Sequence, residues 1–145
     1  MIRREALLLL GLATLGSCRE AIPVDTRIAE AIPAELAVVR LKELLEKAAY
    51  LSCTEPKASF MQSEIREWTV DQKGVEFRGP GKEPYRLPYS SLRGAELTKV
   101  LLSFEVRVYV DTPANPRKDL FRFNWRQEEP ARRAVELFES LREDR

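Results

Sequence analysis

The run Leu102-Ser103-Phe104-Glu105-Val106-Arg107-Val108-Tyr109-Val110 decides the fold. Leu102, Phe104, Val106, Val108 and Val110 fall on one side of an extended chain, and Ser103, Glu105, Arg107 and Tyr109 on the other. A period of two predicts a strand with one face in a core and one in solvent, the arrangement of an antiparallel sheet. Downstream, residues 111–119 carry two prolines and read as a hairpin loop, after which Phe121, Phe123 and Trp125 alternate against Arg122 and Asn124.

The period then changes. Glu128 and Glu129 suit the positive end of a helix, and Pro130 suits its first turn, where a missing N–H costs little. Ala131, Ala134, Val135, Leu137, Phe138 and Leu141 form its apolar stripe. Upstream of residue 102 the pattern predicts further strands: Ser63–Val70, then Val75 and Phe77, then Tyr85, Leu87 and Tyr89. The turns between them are Asp71-Gln72-Lys73-Gly74 and Gly79-Pro80-Gly81-Lys82. Residues 90–94 read as an irregular link before Ala95-Glu96-Leu97. Earlier still, Pro33 opens an amphipathic helix to about Tyr50. Its apolar face is Val38, Leu41, Leu44, Leu45, Ala48 and Leu51, opposite Lys42, Glu43, Glu46 and Lys47. Cys53 is placed just beyond its end, before Pro56.

The N-terminus has a different character. Arg3 and Arg4 precede an apolar stretch from Ala6 to Leu15, followed by Gly16, Ser17 and Cys18. A basic start, a short apolar run and small residues are the layout of a secretory signal, too short to span a bilayer permanently. Leu15-Gly16-Ser17-Cys18 resembles the lipobox of bacterial lipoproteins. That resemblance implies cleavage before Cys18 and acylation of its thiol, giving a palmitate-type anchor. Several acyl chains make such an anchor durable. Arg19 is not the aspartate that resembles an inner-membrane retention signal, so the outer membrane is expected if the cell has two. The alternatives are a buried N-terminal helix, an unmodified Cys18 thiol, and a free secreted protein with Cys18 bonded to Cys53.

The expected organisation is a signal peptide at 1–17, a lipidated cysteine and tether at 18–32, and one globular domain at 33–145. Removing residues 1–17, which carry two Arg and one Glu, leaves 128 residues with 22 basic and 22 acidic side chains. Such a balance gives no whole-molecule attraction to nucleic acid or to an anionic membrane.

The order of elements resembles the pleckstrin-homology-like (PH-like) superfold and its GRAM-type relatives. The residues that carry it are Ile65 to Phe77, then Tyr85-Arg86-Leu87-Pro88-Tyr89-Ser90-Ser91-Leu92, then Phe121–Trp125 running into the Glu128–Arg142 helix. It covers about residues 58–143 and implies an α+β domain. A strongly bent antiparallel sheet or partial barrel is capped by the C-terminal helix, with the 33–50 helix as an addition. Six strands are legible where that family has seven. The runner-up folds are a sheet with both helices on one face and a lipocalin-like barrel.

Chemistry is sparse. The chain has no histidine, which removes the commonest general base and metal ligand, and its two cysteines cannot build a four-thiolate metal site. Gly79-Pro80-Gly81-Lys82 lacks the spacing, the Lys-Ser/Thr ending and the following helix of a phosphate loop. Cys53 has no histidine to activate it and reads as a buried, inert thiol. The carboxylate pairs Glu64/Glu67, Glu128/Glu129 and Glu143/Asp144 sit on polar faces or at helix ends. No cofactor, metal or catalytic group is therefore expected. The candidate binding residues are the basic group Arg117, Lys118, Arg122 and Arg126, with Arg132 and Arg133 nearby, and the aromatic residues Tyr85 and Tyr89, which with Tyr109 and Trp125 could line a peptide groove. For both sets the competing reading is ordinary structure: a solvated charged face, and strand packing.

The expectation is a non-enzymatic, lipid-anchored binding or scaffold module of the envelope that takes a protein or peptide partner. A carrier or sensor of a small apolar ligand is the alternative, and a filled interior would count against it.

Overall fold

The computed structural model describes residues 19–27, 32–54, 57–81, 83–113 and 118–143. The expected signal peptide at 1–17, the Leu15–Cys18 motif and Arg117 lie outside the described residues. Among the described residues, nine strands and two α-helices run in the order β1 (Glu20–Ile22), α1 (Ala34–Glu46), β2 (Tyr50–Thr54), β3 (Lys57–Met61), β4 (Glu67–Val70), β5 (Gly74–Arg78), β6 (Tyr85–Pro88), β7 (Leu92–Val100), β8 (Ser103–Val110), β9 (Lys118–Trp125) and α2 (Glu128–Leu141), with a short 3-10 turn at Gln62–Glu64. They make an α+β domain. Six strands form an antiparallel sheet in the order β1-β7-β8-β9-β2-β3, and β4-β5-β6 form a second, three-stranded sheet. The two do not join into a closed barrel.

Register explains why the pattern around Val106 governs the core. Two rows of side chains run across the large sheet on its inner face: Leu97, Val106, Phe123, Leu51 and Phe60, and beside it Ala95, Val108, Phe121, Cys53 and Ala58. The small sheet offers Trp68, Phe77 and Tyr85 in one row and Val70, Val75 and Leu87 in the next. The faces meet through rings. Phe77 lies 5.6 Å from Phe121, Phe60 lies 5.3 Å from Tyr85, and Trp68 lies 6.5 Å from Phe123. Where the small sheet stops, α2 takes over the same inner face, with Phe138 stacked 5.8 Å from Phe123.

Helix α1 packs on α2 and on β4. This sandwiching makes α2 buried on nearly all sides, including Glu136 and Glu139. Glu139 is accounted for: one oxygen accepts the Ala95 amide at 3.1 Å and the other meets Arg142 at 3.0 Å. Trp125 fixes the far end of α1 by donating its indole N–H to the Leu44 carbonyl at 3.0 Å.

Several expectations need correction. The helix from Pro33 stops at Glu46 rather than Tyr50, and Cys53 sits in the middle of β2, not beyond a helix end. Ala48 and Leu51 satisfy helical spacing, but Leu51 and Cys53 also alternate with Tyr50, Ser52 and Thr54. The β9 edge, which pairs along Tyr50–Cys53, decides between them. Glu20–Ile22, read as tether, is an edge strand opposite Leu97–Lys99. Residues 92–94, read as a link, open β7, where a bulge between Leu92 and Gly94 absorbs the irregularity. Leu102 does not share the inner face with Val106: Val100 pairs with Ser103, so Leu101 and Leu102 form the turn itself.

Candidate functional site

The outer face of the large sheet is a polar ladder. Thr98, Glu105, Asn124, Tyr50 and Met61 form one row, and Glu96, Arg107, Arg122, Ser52 and Ser59 the next. Arg107 and Arg122 are direct cross-strand neighbours, which alone would be repulsive. Carboxylates resolve it. Glu105 lies 3.1 Å from Arg107, and Asp119 lies 2.8 Å from Arg122 and 3.9 Å from Arg107. Burial works against the Arg122 charge, but the Asp119 hydrogen bond and charge, with Glu105 and Tyr109 adding, outweigh it and raise the pKa.

Of the anticipated basic group, the described members take different places. Lys118 opens β9 opposite Val110, Arg122 is engaged on the outer face, and Arg126 is exposed past the end of β9. Arg132 lies 3.6 Å from Glu128 and donates to the Pro23 carbonyl at 3.1 Å, while Arg133 lies 4.0 Å from Glu129. Tyr85 and Tyr89 part company as well. Tyr85 stacks on Phe77 at 5.1 Å with 9° between the rings, whereas Tyr89 is fully buried at the end of the small sheet. Neither lines a groove with the other. Burial pushes the Tyr89 hydroxyl well above its ordinary range, and the Asp71 charge adds to it. Burial likewise pushes the Cys53 thiol up to about 12, which keeps it protonated and unreactive.

What the fold does assemble is a cleft between the two helices, about 380 Å³ in volume. Arg40, Glu43 and Leu44 on α1, with Lys47 just past its end, recur at three- and four-residue spacing, and Arg133, Glu136 and Leu137 line the cleft from α2. Ile32 also lines it. Beside it, Leu36 and Val39 stand exposed on α1, at 40% and 55%.

Glu136 is the residue that distinguishes this cleft. It is 8% exposed, yet its carboxylate makes no ion pair or hydrogen bond among the described residues. The carboxylate oxygens face the open cleft and keep contact with water, where a donor brought by a ligand can reach them. The basic groups of Arg40, Lys47 and Arg133 border the same space without closing on Glu136 to within ion-pair distance. The cleft can thus take an apolar side chain against Leu44 and Leu137 with polar groups of both signs around it. Sequence reading missed it because its residues come from two distant helices. The legible traces were Leu36 and Val39, apolar yet off the buried stripe.

Among the described residues no group of three or more His, Cys, Asp or Glu could hold a metal, and no helix is long and apolar enough to cross a membrane. Comparison of the chain with protein-family models, with curated proteins and with solved structures finds no match.

Proposed function

We propose that the chain is a lipid-anchored binding module of the bacterial envelope, with an acylated Cys18 as anchor and the α1–α2 cleft as the seat for a protein or peptide segment. The observation that carries the binding reading is the α1–α2 cleft with its apolar walls and mixed charge, where Glu136 presents a carboxylate with no ion pair among the described residues. Such a site suits a segment that brings an apolar side chain together with a donor for Glu136. The domain is read as PH-like, with α2 lying over the bent pair of sheets.

The anchor rests on the Leu15-Gly16-Ser17-Cys18 sequence. One geometric point favours it over a Cys18–Cys53 disulfide. Arg19 adjoins β1, four strands across the sheet from the Cys53 strand at about 4.8 Å per strand, and a disulfide keeps its Cα atoms within about 7 Å. The carrier reading is disfavoured by the rings of Phe60, Phe77, Tyr85, Phe121 and Phe123, which occupy the space between the sheets.

Two measurements test the proposal. The intact mass of the protein matured in a bacterial host should show cleavage before Cys18 and a diacylglycerol adduct, both lost in Cys18→Ser; an unacylated chain overturns the anchor. A photo-crosslinking residue at Val39 in intact cells should give a discrete adduct that Glu136→Gln abolishes. Glu136→Gln should at the same time leave the stability of the isolated protein nearly unchanged, since the carboxylate makes no ion pair among the described residues. No adduct, or one indifferent to Glu136→Gln, overturns the cleft.

A further inference from the structure

The turn joining β7 and β8 is chemically out of place. Val100 pairs with Ser103, so the loop is two residues long, and those residues are Leu101 and Leu102. Turns of this length favour Asn, Asp and Gly, which accept the backbone geometry and like water. Here two adjacent leucines stand 77% and 87% exposed at the tip, the most exposed of the large hydrophobic side chains among the described residues. The fold needs neither of them: they touch none of the core rows, which begin at Leu97 and Val106.

The position of the tip gives it a meaning. β1 runs antiparallel to β7 with Glu20 opposite Lys99, so the start of β1 and the end of β7 lie at the same end of the sheet. Arg19 is held there by Glu105, at 2.7 Å. Cys18 precedes Glu20 by two residues, a span of at most about 7 Å. Leu101 follows Lys99 by the same two residues. The start of β1 and the leucine tip therefore lie at the same end of the sheet, on neighbouring strands. Cations flank the tip. Lys99 is exposed with Glu20 opposite it, and Arg126 is exposed just past Trp125, which pairs with Phe104 at the base of the hairpin.

We propose that the Leu101–Leu102 hairpin tip is a second membrane contact, inserted into the bilayer beside the acyl chains and flanked at the headgroups by Lys99 and Arg126. This rests on the lipid anchor at Cys18 proposed above. An amphipathic tip of this kind, with leucines below and basic groups at headgroup level, fits an interfacial site on an anionic bilayer. It fixes the orientation of the domain: with no free tether between lipid and β1, the anchored end faces the membrane.

The test uses the full, lipidated protein reconstituted in vesicles of phosphatidylethanolamine and phosphatidylglycerol. An environment-sensitive dye is attached at Leu102→Cys, and in a second protein at Ser90→Cys, which is exposed at the opposite end of β7. The buried Cys53 and the acylated Cys18 leave the new thiol as the labelled one. The expected result is a blue-shifted emission at position 102, quenched several-fold more than at position 90 by lipids carrying a shallow nitroxide. An unshifted, unquenched probe at 102, in protein whose mass carries the diacylglycerol adduct, overturns the insertion and leaves the anchor standing. A blue shift without lipid quenching means that a second copy covers the tip, and overturns it too. A chain without the adduct removes the anchor and the insertion together.

Discussion

Nη1 of Arg19 lies 2.7 Å from Oε1 of Glu105, a carboxylate on β8 that is almost entirely buried on the outer sheet face. The same oxygen meets Nε of Arg107 at 3.1 Å. One carboxylate thus pins the first described residue of the chain to the middle of the large sheet and neutralises part of the Arg107–Arg122 repulsion.

That arrangement predicts coupling between distant parts of the sequence. Glu105→Ala should destabilise the domain by about 1–3 kcal/mol, because two guanidinium groups lose a largely desolvated partner. A double-mutant cycle of Arg19→Ala with Glu105→Ala, followed by urea unfolding, should give a coupling of about 1 kcal/mol. A coupling near zero would mean that β1 contributes nothing to the folded domain.

Two glycines should respond in opposite ways. A Cβ on Gly74 would sit 2.4 Å from the Leu87 carbonyl oxygen, and backbone cannot move aside as a side-chain tip can. Gly74→Ala should therefore cost about 1–3 kcal/mol by wedging β5 from β6. A Cβ on Gly81 meets nothing within 4 Å. Gly81→Ala should be neutral or stabilising by up to about 1 kcal/mol, through a less flexible unfolded chain. Thermal melts of the two variants side by side check both.

The Tyr89 hydroxyl is buried and has no hydrogen-bond partner among the described residues. Tyr89→Phe keeps the ring and removes the stranded polar atom, so it should stabilise the domain by about 1 kcal/mol. A lower melting temperature for this variant would show that the hydroxyl is satisfied in solution.

Alkaline stability should report on Cys53. Its thiol pKa rises on folding from about 9 to about 12, so above pH 9 the unfolded chain releases a proton that the folded one keeps. Stability is then complete below pH 9 and falls as pH rises toward 12, with Tyr89 adding to the slope above about pH 10 because its pKa is also raised. Cys53→Ala should flatten the loss between pH 9 and 10 in denaturant titrations. Native protein at pH 8 should not react with thiol reagents at Cys53, and unfolded protein should.

Local pattern carried the strands from Glu67 to Pro88, the Ser103–Val110 and Lys118–Trp125 pair, and the C-terminal helix. In each, the spacing of apolar residues and the turn residues beside them point the same way. Where two periods overlap, as at Ala48 and Leu51, sequence cannot choose, and the free edge of β9 makes the choice. Short edge elements such as β1 have too few residues to show a period at all.

The sequence by itself determined the α+β class, the alternation that builds the core rows through Val106 and Val108, and the lack of histidine chemistry, because these depend on neighbours along the chain. Only the tertiary structure decided that the strands divide into two sheets and that Arg122 pairs with Asp119 beside Arg107. It also placed Glu136 between two helices and set Leu101 beside the start of β1. Each of these depends on which distant segments meet, and burial, charge pairing and exposure are properties of that meeting rather than of any one residue.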